Sequence, residues 1–255
     1  MSLLTLQDVD VRFGGINAVS GVSMAIQPGE IRGLIGPNGA GKTSLINAIS
    51  GVVTIGSGQV VFAGRDVTHA TPERISALGI GRTFQHVELF REETVLENVL
   101  TGLYCRYAYG VVAAMLGAVR AAEGKAHDEA QSLLDAFDLR GLAGERSGDL
   151  PFGIQKRIDL ARALAVRPKL LLLDEPVSGM SEAEATEAIA TTRSLSRELG
   201  ITLLMIEHNM RVMMQLADRI TVMHQGRVIA DGLPAQIRSD PAVIDAYLGD
   251  EVGRA

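Results

Sequence analysis

The chain has 255 residues, 47% hydrophobic and 21% charged, with a formal net charge of −6. That supplies a full core for one long domain, or a domain with a subdomain. The acidic balance, with no basic block, excludes nucleic acid as a main partner. A single cysteine, Cys105, excludes a disulfide framework and suits a reducing compartment. No charged-then-apolar leader opens the sequence. The longest apolar run, residues 108–119, falls short of the ~18–20 residues that span a bilayer, so the chain is expected to be soluble by itself.

Taken in order, residues 3–13 place Leu4, Leu6, Val9 and Val11 between polar neighbours and predict a strand that ends at Phe13, before the Gly14-Gly15 turn. Residues 22–26 predict a second strand, stopped by Pro28-Gly29. Ile31–Ile35 is a short apolar run of the buried kind, and residues 44–49 continue as a helix closed near Gly51. Residues 59–62 predict a strand and 63–66 a turn. Thr71 and Pro72 are the N-cap and first position of a short helix. A strand over 79–84 then delivers Gln85. From residue 94 to 166 the pattern is mostly helical, with helices over 97–103, 121–137 and 151–166 and a polar loop over 141–149. Residues 170–173 return to a buried parallel-type strand. After it come a helix (182–199), a strand (201–206), a helix (210–216), a strand pair (219–223 and 227–230), and short helices at 234–238 and 241–248 before a frayed tail, 249–255.

Between the strand at Ile31–Ile35 and its helix stands Gly36-Pro37-Asn38-Gly39-Ala40-Gly41-Lys42-Thr43. This fits G-x-x-x-x-G-K-[ST], the phosphate-binding loop of nucleotide hydrolases. The glycines let the backbone curl so that its N–H groups and the helix start cradle the phosphates of ATP, with Ser44 in the same turn. Lys42 can reach the β- and γ-phosphates, and Thr43 can offer its hydroxyl to Mg²⁺. The four leucines 170–173 lead into Asp174 and Glu175 at the C-terminal edge of a strand, where open α/β sheets put ligands. Asp174 is placed to hold Mg²⁺ and Glu175 to polarise the attacking water. Gln85, at a strand end, could touch Mg²⁺ or the water. His208, after the strand at 201–206, could hydrogen-bond the γ-phosphate and keep Glu175 in line. Met205, Met210, Met213 and Met214 read as core filler. His69, His86, His127 and His224 lack metal-ligand spacing.

This order of phosphate loop, Gln85, helical insertion, Leu-Leu-Leu-Leu-Asp-Glu-Pro and His208 resembles the ATP-binding subunit of an ABC transporter over nearly the whole chain. The resemblance implies an α/β P-loop NTPase with an N-terminal antiparallel β subdomain, a RecA-like core and a helical insertion subdomain. It implies one ABC ATPase domain over residues 1–255, a helical subdomain at 94–166 and a helical tail at 233–255. Phe13 matches the aromatic that stacks on adenine, with a core Phe as the other reading. The stretches 82–90, 206–210 and 240–249 resemble importers of branched-chain and other hydrophobic amino acids, and the lipopolysaccharide-exporter ATPase shares much of the same ending. A non-transport ABC protein is the third reading. The resemblance further implies ATP and Mg²⁺ as cofactors, a second nucleotide-binding subunit (a paralogue in a heterodimer, or a second copy of this chain in a homodimer), two integral membrane permease subunits and, indirectly, an extracytoplasmic substrate-binding protein. It implies a peripheral place on the cytoplasmic face of the inner membrane.

Two stretches depart from the family pattern. Its Leu-Ser-Gly-Gly-Gln signature is here Leu150-Pro151-Phe152-Gly153-Ile154, which removes the Ser hydroxyl but keeps Gly153 and a helix N-terminus for a partner's phosphate. Its Ser-Ala-Leu-Asp is here Ser178-Gly179-Met180-Ser181. Both departures suit a heterodimer with a paralogous ATPase.

Overall fold

A computed structural model describes residues 1–83, 87–104, 118–207 and 210–252. The chain divides into two compact units, one made of Met1–Arg82, Lys169–Glu175 and Gly200–Ala255, the other of Thr83–Pro168 and Pro176–Leu199.

The first unit carries two sheets. Strands β1 (Leu4–Phe13), β2 (Ile16–Ile26), β4 (Ser57–Phe62) and β5 (Arg65–Asp66) pair antiparallel in the order β2-β1-β4-β5. The apolar residues of β1 fall at Leu4, Leu6, Val9 and Val11, so a strict alternation slips once between Leu6 and Val9. The pairing with β2 shifts register at that point, and Asp8 sits there at φ 48°. The bulge lets all four apolar side chains face inward despite the slipped spacing, and all are buried.

The second sheet has the order β10-β9-β3-β8-β7-β6, from β3 (Ile31–Ile35), β6 (Ile80–Arg82), β7 (Leu170–Asp174), β8 (Thr202–Ile206), β9 (Arg219–His224) and β10 (Arg227–Gly232). All pairs are parallel except β9 with β10. Strands β3, β7 and β8 are buried throughout, which is why their sequences lack polar alternation. Helix α1 (Lys42–Ile49) follows β3, and α2 (Pro72–Leu78) begins after its Thr71 cap, as its sequence predicts. One apolar cluster, including Leu4, Phe62, Leu45, Ile49, Leu172 and Leu204, joins both sheets and α1. The buried Arg32 guanidinium also spans this unit, donating to Glu30 (2.7 Å), Thr221 (3.0 Å), the Ala25 carbonyl (2.8 Å) and Asp231. Helices α7 (Met210–Leu216), α8 (Pro234–Arg238) and α9 (Pro241–Val252) complete the unit.

The second unit is helical: α3 (Val95–Tyr104), α4 (Ala118–Ala136), α5 (Phe152–Ala165) and α6 (Glu182–Glu198). A β-carbon on Gly102 would lie 2.5 Å from the Arg162 carbonyl, so α3 and α5 approach backbone to backbone there. Asn98, fully buried, donates to the carbonyls of Phe90 and Thr94 (3.0 Å each) and to the Ser147 hydroxyl (3.2 Å). That amide fixes the segment leading into α3.

Some boundaries differ from the sequence reading. Strand β2 starts at Ile16, because pairing with β1 extends it beyond its apolar part. The strand expected over 79–84 is only Ile80–Arg82, and Phe84 lies outside the described residues. The expected turn at 63–66 includes the short strand β5, and the polar loop over 141–149 contains two 3-10 turns, Arg140–Leu142 and Ser147–Asp149. The tail expected to fray from residue 249 is helical through Val252. Among the described residues no helix is long and apolar enough to cross a membrane.

Candidate active site

The phosphate loop begins where β3 ends. Gly36 stands at φ 150° with no room for a side chain, since a β-carbon would lie 2.0 Å from the Met223 carbonyl. Gly41, at φ 98°, is equally confined: its β-carbon would meet the Ala18 carbonyl at 2.2 Å. Gly41 is also the N-cap of α1, with no side-chain cap and no acid in the first turn. The helix therefore presents its N–H groups and positive end without an internal anion. Asn38, Gly39 and Thr43 are exposed, Ser44 is half-buried, and Pro37 and Ala40 are buried. The loop is held from below by Ala40 N–H to Pro37 (3.2 Å) and Gly226 N–H to Ala40 (3.0 Å).

Lys42 is buried and donates to the loop's own carbonyls, Gly36 at 2.7 Å and Pro37 at 2.8 Å. Burial pushes its pKa down, while Glu175 and Asp174 act in the other direction. The ammonium is thus parked on two weak acceptors inside the loop, from which a phosphate oxygen can draw it.

Asp174 ends β7 with only 2% of its surface exposed. Burial raises its carboxyl above the ordinary carboxylate range; Arg82 pulls it back and Glu175 pushes it further up. The Arg82 guanidinium lies 3.4 Å from Asp174 and also donates to Asn47 (2.6 Å) and Ser50 (3.1 Å) at the end of α1. Glu175 follows at φ 51°, its N–H bonded to the Ile206 carbonyl at 3.0 Å. A bulky residue in the left-handed region is strained, and strain of this kind gathers at functional sites. The buried Asp174 carboxylate, whose ionised form is penalised, and the exposed Thr43 hydroxyl are both hard-oxygen donors of the kind that suit Mg²⁺. Among the described residues no group of three His, Cys, Asp or Glu side chains forms a protein-only metal cage. A cation there would take the rest of its shell from water and phosphate.

Phe13 closes β1 with 48% of its surface exposed, so it is not a core residue. In the helical unit, Pro151 is the N-cap of α5 without a side-chain cap, and Gly153 lies in the first turn. Ser181 caps α6 in a reciprocal box: Glu184 accepts from the Ser181 N–H (2.9 Å) and hydroxyl (2.6 Å). The Asp-to-Ser departure therefore keeps a helix cap. Of the methionines, Met205 and Met213 are core, whereas Met210 and Met214 are only half-buried. Gln85 and His208 lie outside the described residues, as do Cys105 and His86.

Lys42, Asp174 and Glu175 lie close enough to influence one another electrostatically. The structure adds Arg82, Asn47 and Ser50, which no motif announces. A lone arginine at a strand end carries no spacing signal; its role appears only once β6 lies beside β7.

The parallel sheet and glycine-bound helix start define a P-loop nucleotide hydrolase. The "ABC transporter" family model matches residues 19–178, and the "Branched-chain amino acid ATP-binding cassette transporter" model matches 227–253. The high-affinity branched-chain amino acid transport ATP-binding protein LivG of Escherichia coli K12 is 38% identical over 250 residues, covering 97% of this chain and 98% of that protein. Its counterpart BraF of Pseudomonas aeruginosa is 36% identical over the same shares. A solved ATP-binding cassette of an ABC transporter, in its ADP conformation, superposes with a TM-score of 0.82 at 31% identity, covering 98% of this chain and 99% of that one. A dimeric cassette in a post-hydrolysis state with ADP and Pi gives 0.75 at 25% identity, covering 91% and 98%. The chain belongs to the ABC transporter ATP-binding family. It is a nucleotide-binding ATPase cassette.

Proposed function

We propose that this ATPase powers a membrane importer for branched-chain or other hydrophobic amino acids. The observation that carries this reading is the near-full-length similarity to branched-chain amino acid transport ATP-binding proteins, together with an intact Lys42, Asp174 and Glu175 group. In this reading the loop Gly36–Pro37–Asn38–Gly39–Ala40–Gly41 and Ser44 bind the phosphates, Lys42 leaves the Gly36 and Pro37 carbonyls for the β/γ-phosphates, and Phe13 stacks on adenine. Thr43, Asp174 and Gln85 hold Mg²⁺, which neutralises charge on the phosphates when bound. Glu175 takes the proton of the attacking water, and His208 contacts the γ-phosphate. A second nucleotide-binding subunit, by preference a paralogue, presents its phosphate loop to the helix start at Gly153.

The helical subdomain, residues 94–166, and the segment 85–92 engage one of two permease subunits at the cytoplasmic face of the membrane. An extracytoplasmic binding protein delivers the solute, and the tail 233–255 is particular to the group. The test is uptake of labelled leucine in cells carrying Glu175→Gln in place of the native gene, with ATP hydrolysis of the purified chain measured alone and with candidate partner ATPases. Uptake should fall to background while nucleotide stays bound. Unchanged uptake, accompanied by a defect in lipopolysaccharide export, would replace the importer with the exporter.

A further inference from the structure

The turn between β1 and β2 leaves two large apolar side chains uncovered: Phe13 is 48% exposed and Ile16 72%. The two are directly opposed in the ladder, so their side chains stand side by side on one face, about 5 Å apart. Alternation along β1 puts Phe13 on the face of Val11. Val11 is opposed by Val19, and both are fully buried in the apolar cluster that includes Ala40 of the phosphate loop. The Phe13–Ile16 pair therefore continues the core face of the sheet beyond the edge of the core. Arg12 and Asn17, the opposed pair between them, alternate to the other face and are exposed.

Main-chain contacts hold this hairpin in register with the phosphate loop. The Ser20 N–H donates to the Gly226 carbonyl (2.8 Å), and the Gly226 N–H donates to the Ala40 carbonyl (3.0 Å). The Ala18 carbonyl fills the space that a side chain on Gly41 would need. Ile16 lies two residues further out, about 7 Å along an extended strand. A ribose separates a base from its α-phosphate by a comparable span, so a nucleotide with its phosphates in the loop can lay its base on this face. β-carbons on Gly14 and Gly15 would meet nothing within 4 Å, so the turn itself is open.

We propose that Ile16 is a second base-binding residue, forming with Phe13 one apolar platform that selects the size of the ring system rather than the identity of its edge. The proposal rests on the nucleotide reading of the phosphate loop. Neither side chain carries a polar atom, so the pair meets a base through stacking and dispersion and gives its edge no side-chain hydrogen bond. A purine spans both residues. A pyrimidine covers less of the pair, and adenine and guanine are held alike.

The test is calorimetry of the full chain with ADP, GDP, CDP and inorganic pyrophosphate. ADP and GDP should bind within about threefold of each other, and CDP about tenfold more weakly. Ile16→Ala should weaken ADP about fivefold while pyrophosphate binding and the melting temperature stay unchanged. Ile16→Val should recover most of that loss. Phe13→Ala should weaken ADP about tenfold or more, and the double variant should lose less than the product of the two, because one base touches both side chains. Unchanged ADP affinity in Ile16→Ala, or an equal loss for pyrophosphate, overturns the role of Ile16. A preference for ADP over GDP of more than about tenfold overturns selection by ring size. ADP binding that neither Lys42→Ala nor competing pyrophosphate weakens overturns the nucleotide reading itself, a result distinct from one confined to the Ile16 variants.

Discussion

The Phe152 ring occupies the space that a side chain on Gly179 would need. A β-carbon at Gly179 would lie 2.9 Å and 3.1 Å from two ring carbons, and Gly179 sits at φ 83°. The ring is covered in turn by the Lys156 ammonium, 5.6 Å from its centroid, a distance at which cation and ring attract. The two departures from the family pattern are thus one local solution: a phenylalanine at the start of α5 and a glycine before α6 that makes room for it. Gly179→Ala should lower stability by about 1–3 kcal/mol, from the positive φ and from the ring. Adding Phe152→Gly should restore the part due to the ring, leaving the part due to φ. Additive effects in a double-mutant cycle, read by thermal melting, would show that the two residues are not coupled.

Arg82 is the positioning residue for Asp174. It ties the carboxylate to the end of α1 through Asn47 and Ser50, and it offsets the burial that raises the carboxyl. Arg82→Gln removes that offset, so Asp174 protonates at higher pH. The acidic limb of the hydrolysis profile should move toward neutral, with turnover at pH 7 falling about 10–100-fold. Arg82→Lys should recover part of both effects. A lowered melting temperature with an unmoved acidic limb would reduce Arg82 to a packing role.

The sequence conveys the phosphate loop best because everything it needs is local: glycines at confined turns, a buried strand before and a helix start after. Leu170–Asp174 was equally legible, since a run of leucines without polar alternation has few places to go but the middle of a parallel sheet. The slipped spacing of Leu6 and Val9 held a bulge that periodicity alone does not announce. Arg82 with Asp174 and Phe152 with Gly179 were not legible, because each joins residues separated in the chain. Phe13 could be core or ligand-facing from its sequence, and its exposure removes the first reading.

Glu92 lies in the segment proposed to meet the permease, and it is paired with Arg146. Both side chains are largely exposed, at 81% and 59%, so the pair contributes little to the fold. Glu92→Arg should leave melting temperature and basal hydrolysis unchanged while leucine uptake falls. Reduced hydrolysis with uptake lost only in proportion would move the coupling contact elsewhere.

Asp231 anchors the charged cluster that fastens β10 to its neighbours. Burial alone would raise its carboxyl. The bond from Arg219, the 2.7 Å bond from Thr221 and the charge of Arg32 outweigh that and hold it below the ordinary value of 3.8. A carboxylate held low in the folded state stabilises the fold above its unfolded pKa, and that contribution is lost as pH falls through the folded value. Asp231→Asn should therefore cost about 1–2 kcal/mol at pH 7, discounted for partial exposure, because Arg32 keeps Glu30 and the Ala25 carbonyl as partners. As pH falls from 3.8 through the lower folded-state value the wild-type carboxyl protonates, and the difference between the two proteins should close. Urea denaturation of both at pH 7 and at a series of pH values descending below 3.8 measures it. A cost that stays constant throughout that series would assign the loss to geometry rather than charge.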